Sequence, residues 1–398
     1  MKALQILAIA AVVALGAGCA SKPAAGPQGS PTPAPTVTGS ASPTSTVSPP
    51  ATVPTQTSTP AAGPPGGPVP KGFAPASVTF VSPQTGWVLG ATCPTCTVSV
   101  LRTRDGGQTW AGIPGPPAPL GLDAGTGVRE LRFADPSNGW AFGPDLWVTH
   151  DGGSHWARPT LPVGGQPTVS DLAASGGVAH AVVFDPANIF DILTTPAGRD
   201  AWQLSPTKLS LGAGPIPVAQ IVLQGGSGWV LQNDRVVVNG ARLARGTWVP
   251  WQPPCTSVGG PAVLGASTPT DVVAACTEGR FTGPAITVRV YVSADGVAFP
   301  GQGALVPSAT DAQGVASPVP RTIVVADASR LVATFDGAAT WTTVFSGSPT
   351  QSWNDLGFTN PSQGVAVRIA QGTEPASLLM THDGGHTWAP VVFTQASQ

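Results

Sequence analysis

Short apolar stretches rich in valine, leucine and aromatic residues alternate along most of the chain with turns that contain glycine, proline and aspartate. In the first complete unit these stretches cover residues 77–81, 86–90, 97–102 and 110–113. Each is about as long as an ordinary β-strand. Because the turns between them are short, the pattern predicts groups of four consecutive strands.

An eight-residue phrase marks the turn after the third stretch of each group. It reads Thr-Arg-Asp-Gly-Gly-Gln-Thr-Trp at 103–110 and recurs at 149–156, 334–341 and 381–388, with weaker copies between them. The closing aromatic residues stand at 110, 156, 202, 248, 299, 341 and 388, so the steps are 46, 46, 46, 51, 42 and 47 residues. Seven copies at one period indicate a repeat protein, and this period suits four strands and their turns. We predict an all-β fold, a seven-bladed β-propeller of four-stranded antiparallel blades over residues 77–398.

The composition agrees with strands and turns and argues against a nucleic-acid partner. The chain has 398 residues with 50 Gly and 45 Pro, only 10% charged residues and a formal net charge of -2. Proteins that bind nucleic acid need a basic patch, and 18 Lys and Arg scattered over this length do not form one. We expect a monomer with no nucleic-acid partner.

The first 19 residues have the layout of an export signal. Lys2 precedes an apolar run of about 15 residues, shorter than the roughly 20 that span a bilayer. The run ends in Leu-Gly-Ala-Gly-Cys at 15–19, which resembles the lipobox of bacterial lipoproteins, although glycine stands at 16, where leucine is usual. The resemblance implies a lipid on Cys19 and a place on the outer face of the cell membrane. Ordinary secretion and an uncleaved anchor are the alternatives.

Residues 20–76 form a separate segment that is rich in Pro, Thr, Ser, Ala and Gly. From 20 to about 70 it contains no aromatic or acidic residue, so it lacks the apolar surface that would offset the entropy of ordering. We predict a disordered stalk with a typical reach on the order of 40 Å. The segment 69–73 at its end is a candidate for an added edge strand on blade seven.

The repeated phrases resemble a known propeller repeat. They follow the Asp-box, or BNR, pattern Ser/Thr-x-Asp-x-Gly-x-Thr-Trp of the sialidase superfamily. Together with Gly-Trp strands such as Gly86-Trp87, they are similar to the photosystem II assembly-factor family, a WD40/YVTN/BNR-like group with many non-photosynthetic members. The resemblance implies that each aspartate bonds turn amides and each tryptophan packs between sheets, so these residues are structural: Asp105, Trp110, Asp151, Trp156, Asp295, Asp336, Trp341, Asp383 and Trp388.

The remaining cysteines are predicted to form structural disulfides, and most of the histidines are predicted to lie in turns. Neither set is expected to have a catalytic role. Four cysteines besides Cys19 allow three pairings, and the blade positions favour Cys93 with Cys96 and Cys255 with Cys276. A redox role for Cys93-x-x-Cys96 would need a helix start after it, whereas a strand is predicted there. Four of the five histidines lie inside the repeated phrases, and we expect no metal and no cofactor.

The chain lacks most of the residues that a sialidase uses for catalysis. It has one tyrosine, Tyr291, and three glutamates, Glu130, Glu278 and Glu374. Other glycosidases need two carboxylates about 5–10 Å apart, and no pair stands out, although Asp327, Glu278 and Glu374 are candidates for one mouth of the ring.

The alternative to an enzyme is a binding module. Loops between second and third strands meet at one face of a propeller, and Trp251 and Trp353 are candidate exposed aromatics for a ligand face. We expect a non-catalytic, lipid-anchored extracytoplasmic platform that binds an envelope protein or glycan. The alternative is an exo-sialidase-like or other glycoside hydrolase on the same fold. A photosystem role would require a photosynthetic host.

Overall fold

The computed structural model describes residues 66–92, 96–121, 125–185, 189–205, 211–212, 218–234, 236–256, 259–279, 286–349, 351–370 and 374–394. The predicted export signal, Cys19 and the stalk as far as residue 65 lie outside these ranges. Within them the protein consists of strands and turns, without an α-helix. None of the described segments contains a helix long and apolar enough to cross a membrane.

In the described residues, twenty-eight strands form seven antiparallel sheets, which confirms the predicted propeller. Blades one to three contain β1 (Ala74–Phe80), β2 (Gly86–Thr92), β3 (Thr97–Thr103) and β4 (Ala111–Ile113); β5 (Glu130–Phe133), β6 (Gly139–Phe142) and β7 (Leu146–Thr149); β8 (Thr168–Ser175), β9 (Val178–Asp185), β10 (Ile189–Pro196), β11 (Gln203–Leu204) and β12 (Leu211–Gly212).

The other four blades each contain four consecutive strands. They are β13 (Val218–Gln224), β14 (Ser227–Asp234), β15 (Val236–Ala244) and β16 (Thr247–Trp251); β17 (Ala262–Ala266), β18 (Val272–Glu278), β19 (Thr287–Ser293) and β20 (Ala304–Val306); β21 (Ala312–Ala316), β22 (Ile323–Asp327), β23 (Arg330–Thr334) and β24 (Thr342–Ser346); β25 (Trp353–Phe358), β26 (Gly364–Arg368), β27 (Ser377–Thr381) and β28 (Ala389–Pro390).

Blades two and three depart from the predicted four strands. In blade two the fourth position is reduced to one antiparallel bridge between Val148 and Ala157, whose backbone amides donate to each other's carbonyls. In blade three the short strand β12 adds a second pairing to β10. The repeat therefore sets the number of blades, whereas the outermost strand varies from blade to blade.

The hydrophobic core lies between the sheets. Seven clusters of buried residues occur, one at each junction between neighbouring blades. At the junction of blades one and two, the indole of Trp87 stacks on Phe133 with the ring centroids 3.9 Å apart. This arrangement follows from strands that bury both faces, since β2, for example, is buried at six of its seven positions. Each blade is thus stabilised mainly by its neighbours.

The ring closes between whole blades, and both ends of the described chain pack on blade one. Strand β1 begins at Ala74, so the last residues assigned to the stalk belong to the sheet. Gly67 pairs with Gly112 of β4, and the amide of Trp110 donates to the carbonyl of Thr394 at 2.8 Å. The rings of Phe73 and Phe393 lie 5.3 Å apart. The N-terminal segment therefore adds to the edge of blade one, not of blade seven as the sequence suggested.

The repeated box is a turn held by its own side chains. In the first copy the Asp105 carboxylate accepts hydrogen bonds from the Thr103 hydroxyl, the Thr109 amide and the Thr109 hydroxyl, at 2.8, 2.9 and 2.6 Å. The Gly107 amide donates to the Thr103 hydroxyl at 2.9 Å. The copies at 336 and 383 repeat these contacts. Gly107 and its counterpart Gly385 have φ of +91° and +93°, which favours glycine there.

The tryptophans that end the boxes at 110, 156 and 388 are packed and hydrogen-bonded as structural residues. Trp110 is fully buried, and its indole N–H donates to the Gly107 carbonyl at 3.0 Å. Trp388 repeats this bond to Gly385 at 3.2 Å. Trp156 instead donates across the junction to the Pro114 carbonyl of blade one at 3.0 Å. The aspartates of separate boxes do not come together, since each lies in a different blade.

We expect Asp383→Asn to lower the free energy of unfolding by about 1 kcal/mol at neutral pH and to flatten its acid dependence. Burial is the largest single effect and raises the pKa of Asp383, but hydrogen bonds from Thr387 and Thr381 together lower it to about 2. Because the folded-state pKa lies below the unfolded one, the carboxylate stabilises the fold above about pH 4 and loses this effect as the pH falls toward 2. Urea unfolding at pH 7 and pH 3 measures the difference. An equal loss at both pH values would contradict the assignment.

Candidate functional site

The first strands of the blades line a central channel. They are β1, β5, β8, β13, β17, β21 and β25, and together with adjoining turns they enclose a cavity of about 1150 Å³. Its lining includes the charged residues Glu130, Arg132, Asp171 and Asp355. Charged groups in such a position are costly unless they are paired, so their contacts indicate their role.

Asp355 ties three blades together at one point of the channel wall. It lies in a bulge of β25, with φ +48°, which turns its side chain toward blade one. Its carboxylate accepts a hydrogen bond from the Ser77 hydroxyl and a 2.8 Å bond from the Val78 amide. It also pairs with the Arg132 guanidinium of blade two at 2.7 Å, with only 4% of the Asp355 side chain exposed. Blades seven, one and two thus share this carboxylate.

Glu130 lies next to this ion pair. Its Oε2 is 3.4 Å from the Ser77 hydroxyl oxygen, and its Oε1 accepts from the Asn354 side-chain amide at 3.2 Å. The single Ser77 proton goes to Asp355, so a protonated Glu130 is the better partner for the hydroxyl oxygen. Burial, and then repulsion by Asp355, raise the pKa of Glu130 to about 8. The contacts and the direction of the pKa shift both favour the protonated form of Glu130.

Asp171 is the third carboxyl group of the channel. Its two oxygens accept hydrogen bonds from the amides of Leu172 and Ile221, at 2.7 and 2.8 Å. Burial raises the pKa of Asp171 to about 6, against the opposing effects of Arg132 and the two amides. Because Ile221 belongs to β13 and Asp171 to β8, this carboxylate also connects neighbouring blades.

Glu130→Gln is expected to remove part of the pH dependence of stability. Because the folded-state pKa of Glu130 is raised to about 8, the parent protein should lose stability as the pH rises from about 4.5 to about 8. The glutamine is neutral throughout, so the variant should match the parent near pH 5 and have the higher melting temperature near pH 8. Glu374→Gln, at an exposed glutamate, is the matched control. Parallel melting curves for parent and E130Q across this range would contradict the raised pKa.

Uncharged side chains form similar hydrogen bonds between blades at other junctions. The Gln220 side-chain carboxamide accepts a hydrogen bond from the Leu264 backbone amide at 2.7 Å and donates one to the Leu264 carbonyl at 3.1 Å. The Gln313 side chain accepts from the Trp353 amide at 2.8 Å, and the Asn354 side chain donates to the Ala76 carbonyl at 2.8 Å. Side-chain hydrogen bonds of this kind therefore join the first strands of neighbouring blades. Asp355 and Asp171 are charged residues that make such bonds.

Tyr291 has a glutamate partner, but it lies away from the channel. Its hydroxyl donates to Glu278 Oε1 at 2.7 Å, and the Arg289 guanidinium donates to Glu278 Oε2 at 3.1 Å. Both Tyr291 and Arg289 belong to β19, the third strand of blade five. Burial and then the hydrogen bond to Glu278 raise the pKa of Tyr291 to about 12. A nucleophile requires the opposite shift, so this geometry is that of a surface ion-pair network.

The other candidate acids do not converge. Asp327 is 2% exposed and accepts from the amides of Thr310 and Asp311, at 2.9 and 3.1 Å, while it pairs with Arg330 at 2.8 Å. Glu278 is engaged in blade five, and Glu374 is exposed in the loop before β27. In the described part of the chain no group of three His, Cys, Asp or Glu residues has the geometry of a metal site.

The two tryptophans expected at an exposed ligand face are buried, which corrects that prediction. Trp251 is 8% exposed, and its indole N–H donates to the Val297 carbonyl at 2.9 Å. Trp353 is 5% exposed and packs against Phe345, with the Arg368 guanidinium 5.1 Å from its ring centroid. Both side chains fill blade junctions because each belongs to a strand rather than to a loop. Neither offers a flat aromatic surface to a partner.

The cysteines and histidines have structural contacts. A disulfide joins Cys255 to Cys276, whose Cα atoms are 5.8 Å apart. Cys96 is also disulfide-bonded, and Cys93 lies outside the described residues. His180 accepts from the indole N–H of Trp248 at 3.2 Å, and burial lowers its pKa to about 4. His155 contacts the box residue Asp151 at 2.6 Å.

The geometry defines the class of this protein, a seven-bladed Asp-box propeller whose channel carboxylates are engaged between blades. No protein-family model matches the chain, and no curated protein matches it. Solved structures of similar fold include YCF48 from Cyanidioschyzon merolae, with TM-score 0.55, 17% identity and coverage of 80% of this chain and 98% of that one. YCF48 bound to D1 peptide has TM-score 0.53, 19% identity, and coverage of 79% and 94%.

A glycoside hydrolase shares the same architecture. An ancestral GH74 enzyme gives TM-score 0.53 and 11% identity, and the match covers 82% of this chain and 46% of that one. At such identities the likeness establishes the fold alone. The same fold occurs in YCF48 and in a GH74 enzyme, so function depends on the particular site.

Sequence reasoning missed the channel cluster. Its signal was present in the first strand of blade two, where the charged residues Glu130 and Arg132 alternate with the apolar Leu131 and Phe133. A charged alternation on the innermost strand of a propeller places these groups in the channel rather than in solvent. The inward position of the Asp355 side chain was harder to predict, because it depends on a bulge in β25.

Proposed function

We propose that this protein is a non-catalytic binding and assembly platform at the cell envelope, with an exported propeller that presents its surface to a partner protein or an envelope glycan. The observation that carries the proposal is the engagement of the channel carboxylates. Asp355 is shared by Ser77, Val78 and Arg132, and Asp171 is held by two backbone amides. Groups bonded in this way hold blades together, which leaves little capacity for proton transfer to a substrate.

The location is the second part of the proposal. We infer that Cys19 carries a lipid and that residues 20 to about 70 tether the propeller to the outer face of the membrane. The support comes from the sequence alone, namely the short apolar run before Cys19 and the composition after it. Expression of the full chain and of Cys19→Ala in a bacterial host tests this. The parent should fractionate with membranes and C19A should be released, whereas equal membrane retention would contradict lipid anchoring.

A glycoside hydrolase remains the second candidate because of one observation. Glu130 and Asp355 both contact the Ser77 hydroxyl, and the pKa of Glu130 is raised to about 8. A protonated carboxyl group beside a carboxylate paired with arginine has the general form of an acid and its partner. The neighbouring fold of a GH74 enzyme is compatible with it.

One experiment separates the two candidates. The full chain, solubilised in detergent, is incubated with envelope fractions; retained proteins and glycans are identified, and released reducing sugar is measured in the same samples. The proposal expects a retained partner and no released sugar, with Glu130→Gln and Glu374→Gln equal to the parent. Sugar release that E130Q abolishes and E374Q preserves would establish the hydrolase instead.

A further inference from the structure

A second cavity lies between blades five and six, at the end of the blades where the box turns are found. It has a volume of about 400 Å³ and is lined by the box glycine Gly337 and by Asp271, Val273, Val292, Arg321, Ile323 and Asp336. This volume is within the usual range of sites that hold a small ligand or a large side chain. It is separate from the central channel, because its lining comes from second and third strands and from turns.

The cavity occurs where the repeat lacks both a tryptophan and the aromatic residue opposite it. Blades six and seven also have valine at the tryptophan position, Val324 and Val365, but Phe358 and Phe80 remain on the other side of those junctions. In blade one, Gly86 pairs with the box residue Thr103, and Trp87 follows Gly86 in the strand. In blade five, Val272 pairs with the box residue Ser293, so Val273 holds the place of Trp87. Blades two and four also have tryptophan after the corresponding glycine, at 140 and 229, and all three indoles are at most 1% exposed. Valine is much smaller, which leaves space at the junction.

The aromatic partner on the other side of the junction is missing as well. Trp87 stacks on Phe133 of blade two, and Phe133 pairs with Gly139. In blade six, Ala316 pairs with Val324, so the next residue, Ser317, takes the position of that phenylalanine. The junction has therefore lost both members of a stacked aromatic pair. Two small side chains in place of two aromatic rings leave unfilled volume at this junction.

One other junction indicates which group fits the cavity, although the indole N–H groups of Trp87 and Trp140 make no such bond. The indole N–H of Trp229, in blade four, donates to the carbonyl of Gly296 in the box of blade five at 2.8 Å. Gly337 is the corresponding glycine in the box of blade six and lines the cavity. An indole seated on Val273 would lie against Gly337 as Trp229 lies against Gly296. The cavity thus has the apolar wall and the carbonyl that hold an indole at another junction of this protein.

The rim of the cavity carries backbone strain and charge. Arg321 and Ala338 have φ of +73° and +72°, a left-handed conformation that non-glycine residues rarely adopt. Ala338 holds the box position of Gly107 and Gly385, so its conformation belongs to the box turn. Such strain costs on the order of 1 kcal/mol or more per residue. The exposed Arg321 guanidinium donates to the Asp336 carbonyl at 2.8 Å, and Asp271 accepts from the Ser267 hydroxyl at 2.6 Å. A cation and a carboxylate therefore flank an apolar pocket.

We propose that this cavity is a docking pocket for the tryptophan side chain of a partner polypeptide, in which the indole packs on Val273 and Ile323 and donates to the Gly337 carbonyl. All 12 tryptophans of the sequence lie in the described residues, so a tryptophan in this cavity would come from another polypeptide. Arg321 and Asp271 at the rim would pair with charges beside that tryptophan. The inference deepens the proposed binding function, on which it rests, by naming a pocket and the side chain that fits it.

The test uses N-acetyl-tryptophanamide and the detergent-solubilised full chain, with binding followed by saturation-transfer NMR of the ligand. We expect saturable binding in the millimolar range, typical of a fragment of this size. The analogue methylated on the indole nitrogen should bind several-fold more weakly, because it cannot donate to Gly337. Absence of saturation by the parent would overturn the pocket assignment, while the envelope partner screen would still decide the proposed function.

Val273→Trp places in the cavity the residue that blades one, two and four already use. We expect it to abolish ligand binding without lowering the melting temperature. Val392→Trp, at a residue that is 75% exposed, adds a tryptophan elsewhere and should bind the ligand like the parent. Ser317→Phe restores the other half of the aromatic pair and decides the matter if V273W does not fold. Binding by the folded V273W or S317F equal to that of the parent would overturn the proposal.

Discussion

Replacement of Asp355 by alanine is expected to lower the free energy of unfolding by about 4 kcal/mol, the largest loss among the substitutions considered. The change removes the acceptor of the Ser77 hydroxyl and the Val78 amide and leaves the Arg132 guanidinium without its partner. Because these three groups belong to blades one and two and Asp355 belongs to blade seven, the change weakens the contact between the last and first blades, which closes the ring. Urea unfolding followed by tryptophan fluorescence measures the loss.

The double variant Asp355→Ala, Arg132→Met is the control for the charge contribution. Removal of both charges leaves no unpaired ion, so the double variant should be more stable than D355A alone, by 1 kcal/mol or more. Asp171→Asn is the matched single change, since its carboxylate lacks a direct ion pair and accepts only backbone amides. A loss below about 1 kcal/mol for D355A would show that ring closure does not depend on this carboxylate.

Removal of the Cys255–Cys276 disulfide should produce the second large effect. The bond closes a segment with a sequence separation of 21, and the loss of a cross-link over such a length costs about 3 kcal/mol. The variant Cys255→Ala, Cys276→Ala is therefore expected to unfold at a clearly lower urea concentration. Both cysteines are buried, at 6% and 0% exposure, and the bridge fastens the chain entering blade five to its second strand.

Chemical reduction provides the comparison for this variant. Reduced parent and oxidised C255A/C276A should have similar unfolding midpoints, while Cys96→Ala under oxidising conditions should stay nearer to the parent, since Cys96 lies at a partly exposed loop end. An unchanged midpoint for the double variant would mean that packing alone holds this part of blade five.

The propeller could be predicted because its determinants are local and repeated. Each box contains its own turn donors and acceptors, as Thr103, Asp105 and Thr109 show, and seven such copies define seven blades without knowledge of distant contacts. The missing fourth strand of blade two was not accessible in this way. It depends on a single pairing at Ala157 beyond the box, where the sequence pattern does not distinguish a strand from a bridge.

The candidate sites were harder to predict because they depend on contacts between blades. Asp355 acts through Ser77, 278 positions away, and a bulge directs its side chain. Trp251 and Trp353 looked like loop aromatics, but extension of strands β16 and β25 by a residue or two places them in the core. The cavity at Val273 is detectable only when strand registers from different blades are compared.

Since every blade is one uninterrupted piece of chain and both ends meet on blade one, the order of the blades along the polypeptide is arbitrary. A circular permutant that joins the end of β28 to the start of β1 by a short linker and opens between Gly176 and Gly177 would keep every sheet intact except for one turn. The new ends would then leave the ring beside blade three. The blade from which the terminal segments leave the ring could therefore be changed without altering the fold.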